Sequence, residues 1–509
     1  MYFRWKRLLS ILVCMFLVFS LAACSKTDTT DTTDPTDTTD VVDSEPDTGE
    51  EDGGILELTT EVVVVGAGGT GLAAAASAYE HGAEVIVVEK MAFVGGSTAL
   101  SGGGIGATGT RFQKELGIED TKESWMQLWR ERQATSNPDS KYPDYDRVDK
   151  FMDEAVVTTH WMVDYIGHKY TRIEGFGFDP VRRLHFPEKG GSDVTNNLEK
   201  FLTSKGVEIL KETRATELIT NENGDVVGVL AEGKEGPVKI NAKKVILATG
   251  GFARNEDLLE RFVPEMAGTS ELSAAAVSST GDGILMAEKI GAALYEDPWI
   301  IGLAIGTKVE GLSGLEWDPT KIYINEKGQR FMNEAVHYAI LTNEAAKQEK
   351  MWVIIDSSEA NAQLAETLKG ELPHEEIAYG ETIEELAKAM GVPEENLVNT
   401  INTFNEGVKT GKDTFGKPES LLVPVEKGPY FAIRYYPKTM GTIGGVKTNE
   451  NYQVLREDGS IINNLYAGGE CANKVLYNQV YMSGSAVQFA LTSGRIAGEH
   501  AAKAVKAGN

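Results

Sequence analysis

The chain has 509 residues, with 49 Lys and Arg against 76 Asp and Glu, a formal net charge of −27. That balance excludes a nucleic-acid binder, whose phosphate contacts demand a basic face. Three cysteines are too few for a four-cysteine metal or iron–sulfur site, and there is no C-x-x-C-H stretch for covalent haem attachment.

Residues 1–23 read as a signal peptide. Arg4, Lys6 and Arg7 form a basic region, and the apolar stretch from Leu8 to Ala23 falls short of the roughly 20 residues of a bilayer span. Leu21-Ala22-Ala23-Cys24 resembles a bacterial lipobox, which implies cleavage before Cys24 and lipidation of its sulfur; a simple secreted protein is the alternative. The expected location is extracytoplasmic, on a bacterial membrane, because more than one acyl chain holds a protein stably. With Cys14 removed and Cys24 lipidated, Cys471 has no partner and no disulfide is expected. Residues 24–54 are Thr/Asp-rich, with eleven acids and one lysine between 25 and 54 and no aromatic residue. Such a segment buries too little apolar surface to fold and reads as a self-repelling, disordered linker.

The stretch "EVVVVGAGGTGLAAAASAYEHGAEVIVVEK" (61–90) carries the strongest motif. A Val62–Val65 strand meets Gly66-x-Gly68-x-x-Gly71, an Ala-rich helix follows, and a second strand, Val85–Val88, ends in Glu89. Strand, glycines, helix and acid together are the dinucleotide-binding fingerprint. Gly66 makes the tight turn, Gly68 lets a pyrophosphate approach, and Gly71 allows the helix–strand contact. Glu89 is positioned to accept hydrogen bonds from ribose hydroxyls, and the helix N-terminus offers N–H groups and positive potential.

Four further stretches follow in order: "GGSTALSGGGIGATGT" (95–110), "KKVILATGGFARN" (243–255), "SSTGDGILMAEKIGAAL" (278–294) and "NLYAGGECA" (464–472). Together with the fingerprint, this set resembles the FAD-dependent flavoproteins of the fumarate reductase and succinate dehydrogenase family. The resemblance runs from about residue 58 to 505. It implies an α/β fold, in which a Rossmann-like FAD-binding domain (55–297 and 441–509) carries an inserted α+β capping domain (298–440). It also implies that Thr70, Glu89, Ser97, Thr98, Gly102, Gly103, Ala215, Asp282, Glu470, Ala486 and Val487 contact FAD. Ser97 stands where members of the family tether FAD through histidine, so non-covalent FAD is expected. Within 298–440, "TKIYINEKGQRFMNEA" reads as a strand pair about Lys327-Gly328, and residues 381–411 as two amphipathic helices split by Gly-Val-Pro.

Fumarate reductases of the family grip a dicarboxylate with arginines and histidines. Here Tyr338, Gly441 and Tyr481 occupy three of those positions, in "RFMNEAVHY", "KTMGTIGGVKT" and "NQVYMSGSAV". The pattern is similar to the 3-ketosteroid dehydrogenase variants, which implies catalytic roles for Tyr338, Tyr481 and Ser483. A neutral phenol, pKa about 10, clamps a carboxylate poorly but donates well to a ketone oxygen. The reading is hydride transfer between flavin and an activated C=C or C–C bond, with an α,β-unsaturated carbonyl compound serving as respiratory acceptor under anaerobic conditions. The alternative is an unsaturated carboxylate of acrylate, urocanate or fumarate type, held by Arg254 or Arg434. A flavin lipoprotein that only passes electrons is a third possibility. His337 is the acid if the register of the Tyr338 segment shifts by one. No metal-ligand cluster is evident. One nucleotide fingerprint and no haem motif imply a separate electron carrier, such as a flavinylated protein, a cytochrome or a quinone.

Overall fold

In the computed structural model the described residues are 54–508, apart from 177, 178 and 313. The expected signal peptide, Cys24 and the acidic linker therefore lie outside the described residues. The chain opens with strand β1, Leu56–Val65, whose last four valines are buried on both faces. A continuous apolar run of this kind suits a central parallel strand covered by helices on each side. Helix α1, Gly69–Glu80, returns to strand β2, Val85–Val88, which pairs parallel to β1 in the register Val62↔Val85 to Val65↔Val88.

An eight-stranded sheet grows from this unit. Its path runs Gln453–Leu455, Ile461–Ala467, Gly236–Leu247, β1, β2 and Glu208–Leu210, with the strands Thr213–Thr220 and Val226–Gly233 joined through Gly236–Leu247. The central pairs are parallel, whereas Gln453–Leu455 and the Thr213–Gly233 hairpin pair antiparallel, so the sheet is mixed. Residues from distant parts of the chain therefore meet at the carboxyl ends of β1 and Gly236–Leu247, where α/β folds hold ligands.

The last helix, Ser485–Lys506, lies on α1 at backbone distance. A Cβ at Gly494 would meet the Thr70 carbonyl oxygen at 2.2 Å, and one at Gly498 would meet that of Ala74 at 2.1 Å. Small residues thus let the first turns of α1 pack closely against the middle of the last helix. A second, five-stranded sheet is drawn from residues 299–443 and centred on Tyr430–Ile443. The turn at Gly328 forms, with φ at +72°, but Ile324 bridges Arg330 only once; the full partner of Tyr323–Asn325 is Met351–Ile355. The two expected amphipathic helices are Ile383–Met390 and Glu394–Thr410. Among the described residues, no helix is long and apolar enough to cross a membrane.

Candidate active site

A cavity of ≈ 420 Å³, within the range of small-molecule sites, runs from the β1–α1 turn to the start of the last helix. At its first end Gly66 has φ +102°, and a side chain there would meet the Ala248 carbonyl at 2.5 Å. Gly71 does not line the cavity. It lets α1 lie on the turn, since a Cβ would come to 1.8 Å of the Gly66 carbonyl. Helix α1 has no side-chain cap at Gly68, so its first-turn N–H groups remain available beside cavity-lining Gly66, Gly68 and Thr70. Glu89 borders the same end, its two oxygens accepting from the Ala67 N–H (2.8 Å) and the Met91 N–H (2.9 Å).

Asp282 closes this end through ion pairs with Lys90 (2.9 Å) and Arg214 (3.1 Å). Burial raises its carboxyl, but Arg214 and Lys90 outweigh that and hold it below the ordinary range. Ser97, Thr98, Gly102, Gly103 and Ala215 line the middle. The Ser97 Oγ accepts from the Ala276 N–H at 3.0 Å, which ties the helix Gly96–Leu100 to the 274–279 loop. Ala486 and Val487 bring in the first turn of the last helix, which also lacks a side-chain cap. Two uncapped helix N-termini around one glycine-lined cavity suit an anionic, extended cofactor such as FAD.

The other end is neutral. Tyr338 begins the helix Tyr338–Ala346, and its hydroxyl lies 2.9 Å from the Ser483 Oγ. The Tyr481 ring is 6.4 Å away, centroid to centroid. The Gly484 N–H donates to the Tyr481 hydroxyl oxygen at 3.2 Å, leaving the phenolic proton free to be donated. Gly484 is required there: its φ is +80°, and a Cβ would meet Leu184 Cδ2 at 2.2 Å. Burial pushes the Tyr481 phenol up to about 12 against the pull of the Ala486 and Gly484 N–H groups. Burial raises Tyr338 as well, so both phenols keep their protons at neutral pH. Leu184, Phe186, Ile301, Leu303 and Met440 supply apolar wall.

The expected site residues are therefore gathered around one cavity, Gly71 standing just behind it. The alternatives fare differently. His337 caps its helix through Nδ1, which accepts from the Ala339 N–H at 3.2 Å; burial, then Arg132, lowers its pKa to about 3. Arg254 donates to the carbonyls of Ala275, Ser270 and Glu271, and Arg434 to that of Met351; neither lines the cavity. Among the described lining residues the only cations are Lys90 and Arg214, both paired with Asp282.

Sequence reasoning missed three participants. Tyr477 lines the cavity, stacks on Trp129 (5.8 Å, 13°) and shares a hydrogen bond with the Ser485 Oγ at 2.5 Å. Asn473 also lines it, with the Asn473 Oδ1 accepting from the Gly444 N–H at 2.9 Å. Arg132, buried in the last turn of the helix Lys122–Gln133, lowers the Tyr338 phenol from outside the cavity wall. Tyr477 and Asn473 sit in the "NKVLYNQVY" approach to Tyr481, and that adjacency was the available signal; Arg132 had none.

The family model described as "FAD binding domain" matches residues 61–486. The chain is 31% identical over 463 residues to the protein named "Probable fumarate reductase Ifc3" of Shewanella frigidimarina, covering 87% of this chain and 75% of that one. It is 32% identical over 464 residues to the urocanate reductase of Eggerthella lenta, covering 88% and 75%. Among solved structures it superposes on the 3-ketosteroid-Δ4-(5α)-dehydrogenase of Rhodococcus jostii RHA1 in complex with 4-androstene-3,17-dione, with TM-score 0.68 and 27% identity, covering 87% of this chain and 97% of that one. The cavity, its uncapped helix ends and these matches lead to one assignment: the chain belongs to the FAD-binding flavoprotein family of the fumarate reductases and is a FAD-dependent oxidoreductase acting on CH–CH bonds.

Proposed function

We propose that this protein is a lipid-anchored, extracytoplasmic reductase of an α,β-unsaturated ketone, an enone of ketosteroid type, fed by a separate electron carrier. One observation carries the reading: the reacting end of the cavity presents phenols and apolar walls, and its lining cations are both engaged by Asp282 at the opposite end. A dicarboxylate brought to such a place would lose its water and meet no unengaged cation in the described cavity lining, which is costly. A ketone needs only a hydrogen-bond donor.

FAD, bound without a covalent link, would supply the hydride that the β-carbon accepts. Tyr481 donates to the ketone oxygen and stabilises the negative charge that gathers there, its own oxygen being polarised by the Gly484 N–H. Tyr338 gives the proton to the α-carbon, and Ser483, 2.9 Å from it, returns one. The two hydroxyls belong to rings 6.4 Å apart, a spacing that suits separate duties on neighbouring substrate atoms. Residues 298–440 act as a cap that keeps water from the reacting atoms.

A panel of acceptors tests this, using protein pre-reduced anaerobically with viologen. A 3-oxo-4-ene steroid is expected to reoxidise the flavin quickly and fumarate slowly; fast reoxidation by fumarate alone would sink the proposal. A second reading, reduction of an unsaturated carboxylate, draws support from the names of the fumarate and urocanate reductases above and from Arg132 behind Tyr338. It predicts that Arg132→Gln raises the KM for an unsaturated acid.

A further inference from the structure

Glu470 is a carboxyl inside the cofactor cavity without a counter-charge. It lies in the short turn Gly469–Cys471 that follows the strand Ile461–Ala467. Its Oε1 accepts two hydrogen bonds from Thr442, from the N–H at 2.7 Å and the Oγ1 at 2.9 Å. Oε2 receives none among the described residues, and the group borders the cavity. Backbone crowds it on two sides: a Cβ at Gly251 would meet Oε1 at 2.1 Å, and one at Gly441 would meet Oε2 at 2.8 Å. Gly441 stands where the family resemblance leads one to expect histidine, so a base that would have neighboured this carboxyl is missing.

The titratable groups that face Glu470 are Cys471, whose buried thiol is pushed up to about 12, and Tyr477, whose buried phenol is raised far above its ordinary value. No cation is among the groups that shift it, and burial, opposed only by Thr442, raises the carboxyl to about 7. A buried acid with this surrounding changes charge readily when a neighbour does.

We propose that Glu470 is a redox-linked proton site: it gains one proton when the bound FAD is reduced. Two electrons would enter from a donor, a reduced viologen dye in the assay; one proton from solvent would go to the flavin with them, and a second from solvent to Oε2. The added electron charge opposes the carboxylate and favours the neutral acid, so the two events assist each other. The Thr442 contacts fix Oε1 and leave Oε2 to take the proton. This inference rests on the FAD cavity and is independent of the substrate assigned above.

The experiment is potentiometry of the flavin in the holoprotein across pH 5 to 9, for the native chain and Glu470→Gln, without substrate. Above about pH 7 the native protein is expected to show an additional tenfold change in the redox equilibrium per pH unit, about 30 mV for a two-electron couple. Glu470→Gln is expected to lack that additional slope; identical slopes in the two proteins would overturn the proposal. Should the variant fail to retain FAD, redox-difference infrared spectroscopy of the native protein replaces it. Gain of a protonated-carboxyl band on reduction above pH 7 supports the site, and reduction with no carboxyl signal overturns it.

Discussion

Replacing Tyr338 by Phe removes one oxygen at a position where the roles of the phenol can be separated. As a structural group, that hydroxyl makes a hydrogen bond with Ser483 at 2.9 Å and is otherwise enclosed by protein, the residue being 8% exposed. Losing such a bond costs about 1 kcal/mol of folding stability, and phenylalanine fills the remaining volume. As the proton donor to the α-carbon, it contributes about 10²- to 10⁴-fold to the rate, equivalent to about 3–5 kcal/mol of barrier. The two roles thus differ by a factor that experiment resolves easily. Anaerobic stopped-flow reoxidation of the reduced flavin by an enone is expected to slow by at least about a hundredfold, with flavin content and urea midpoint nearly unchanged. The native rate is expected to show no alkaline loss from Tyr338 below pH about 10, because burial raises that phenol more than Ser483 and Arg132 lower it. A Tyr338→Phe rate within about twofold of native, with the flavin intact, would refute the assignment of proton transfer to this residue.

Gly71→Ala puts a methyl group 1.8 Å from the Gly66 carbonyl oxygen, so the β1–α1 turn must open; the purified variant is expected to have lost most of its flavin, read from the flavin-to-protein absorbance ratio. Glu334→Ala removes the anion that Arg330 (2.8 Å) and Lys417 (2.9 Å) share in full burial. Arg330 keeps Asp413, but Lys417 loses its buried carboxylate, which is expected to cost about 3–5 kcal/mol in urea denaturation. Rate would fall in that variant only as far as the start of the Tyr338 helix moves.

Much of this arrangement was legible from residue types because the fingerprint is local. The Gly66-Gly68-Gly71 spacing, the flanking valine runs and Glu89 report contacts made within about thirty residues, and each stands at or just behind the cavity wall. The tyrosines were legible for another reason: "RFMNEAVHY" and "NQVYMSGSAV" resemble the 3-ketosteroid dehydrogenase pattern, and the structure sets each tyrosine next to a helix start, Tyr338 on the His337 cap and Tyr481 three residues before Gly484. Arg132 was not legible. Its charge acts on Tyr338 from outside the cavity wall, on a helix, Lys122–Gln133, that is fastened to the Tyr481 segment, Gln133 donating to the Val480 carbonyl at 2.6 Å and accepting from the Asn478 N–H at 2.8 Å. Those contacts span more than 340 residues of chain, and amphipathic periodicity carries no trace of them. The strand pair expected about Lys327-Gly328 failed for a related reason. The turn residues were right, but Met351–Ile355 offered a longer buried ladder than the short return at Arg330.

The motif "RFMNEAVHY" illustrates how a single stretch mixes scaffold with chemistry. Arg330 and Glu334 are consumed by a buried network with Asp413 and Lys417, in which no group faces the cavity. That network fixes the backbone just before His337, whose ring caps the next helix and so sets where Tyr338 emerges. The charges of the stretch therefore act on geometry, and its one cavity-facing group is the uncharged phenol. A reader who took the arginine of this motif for a substrate clamp would assign an acid substrate. The pairing of Arg330 with Glu334 and Asp413 removes the physical basis for that assignment, because a guanidinium already neutralised by two buried carboxylates has no charge left to offer a third.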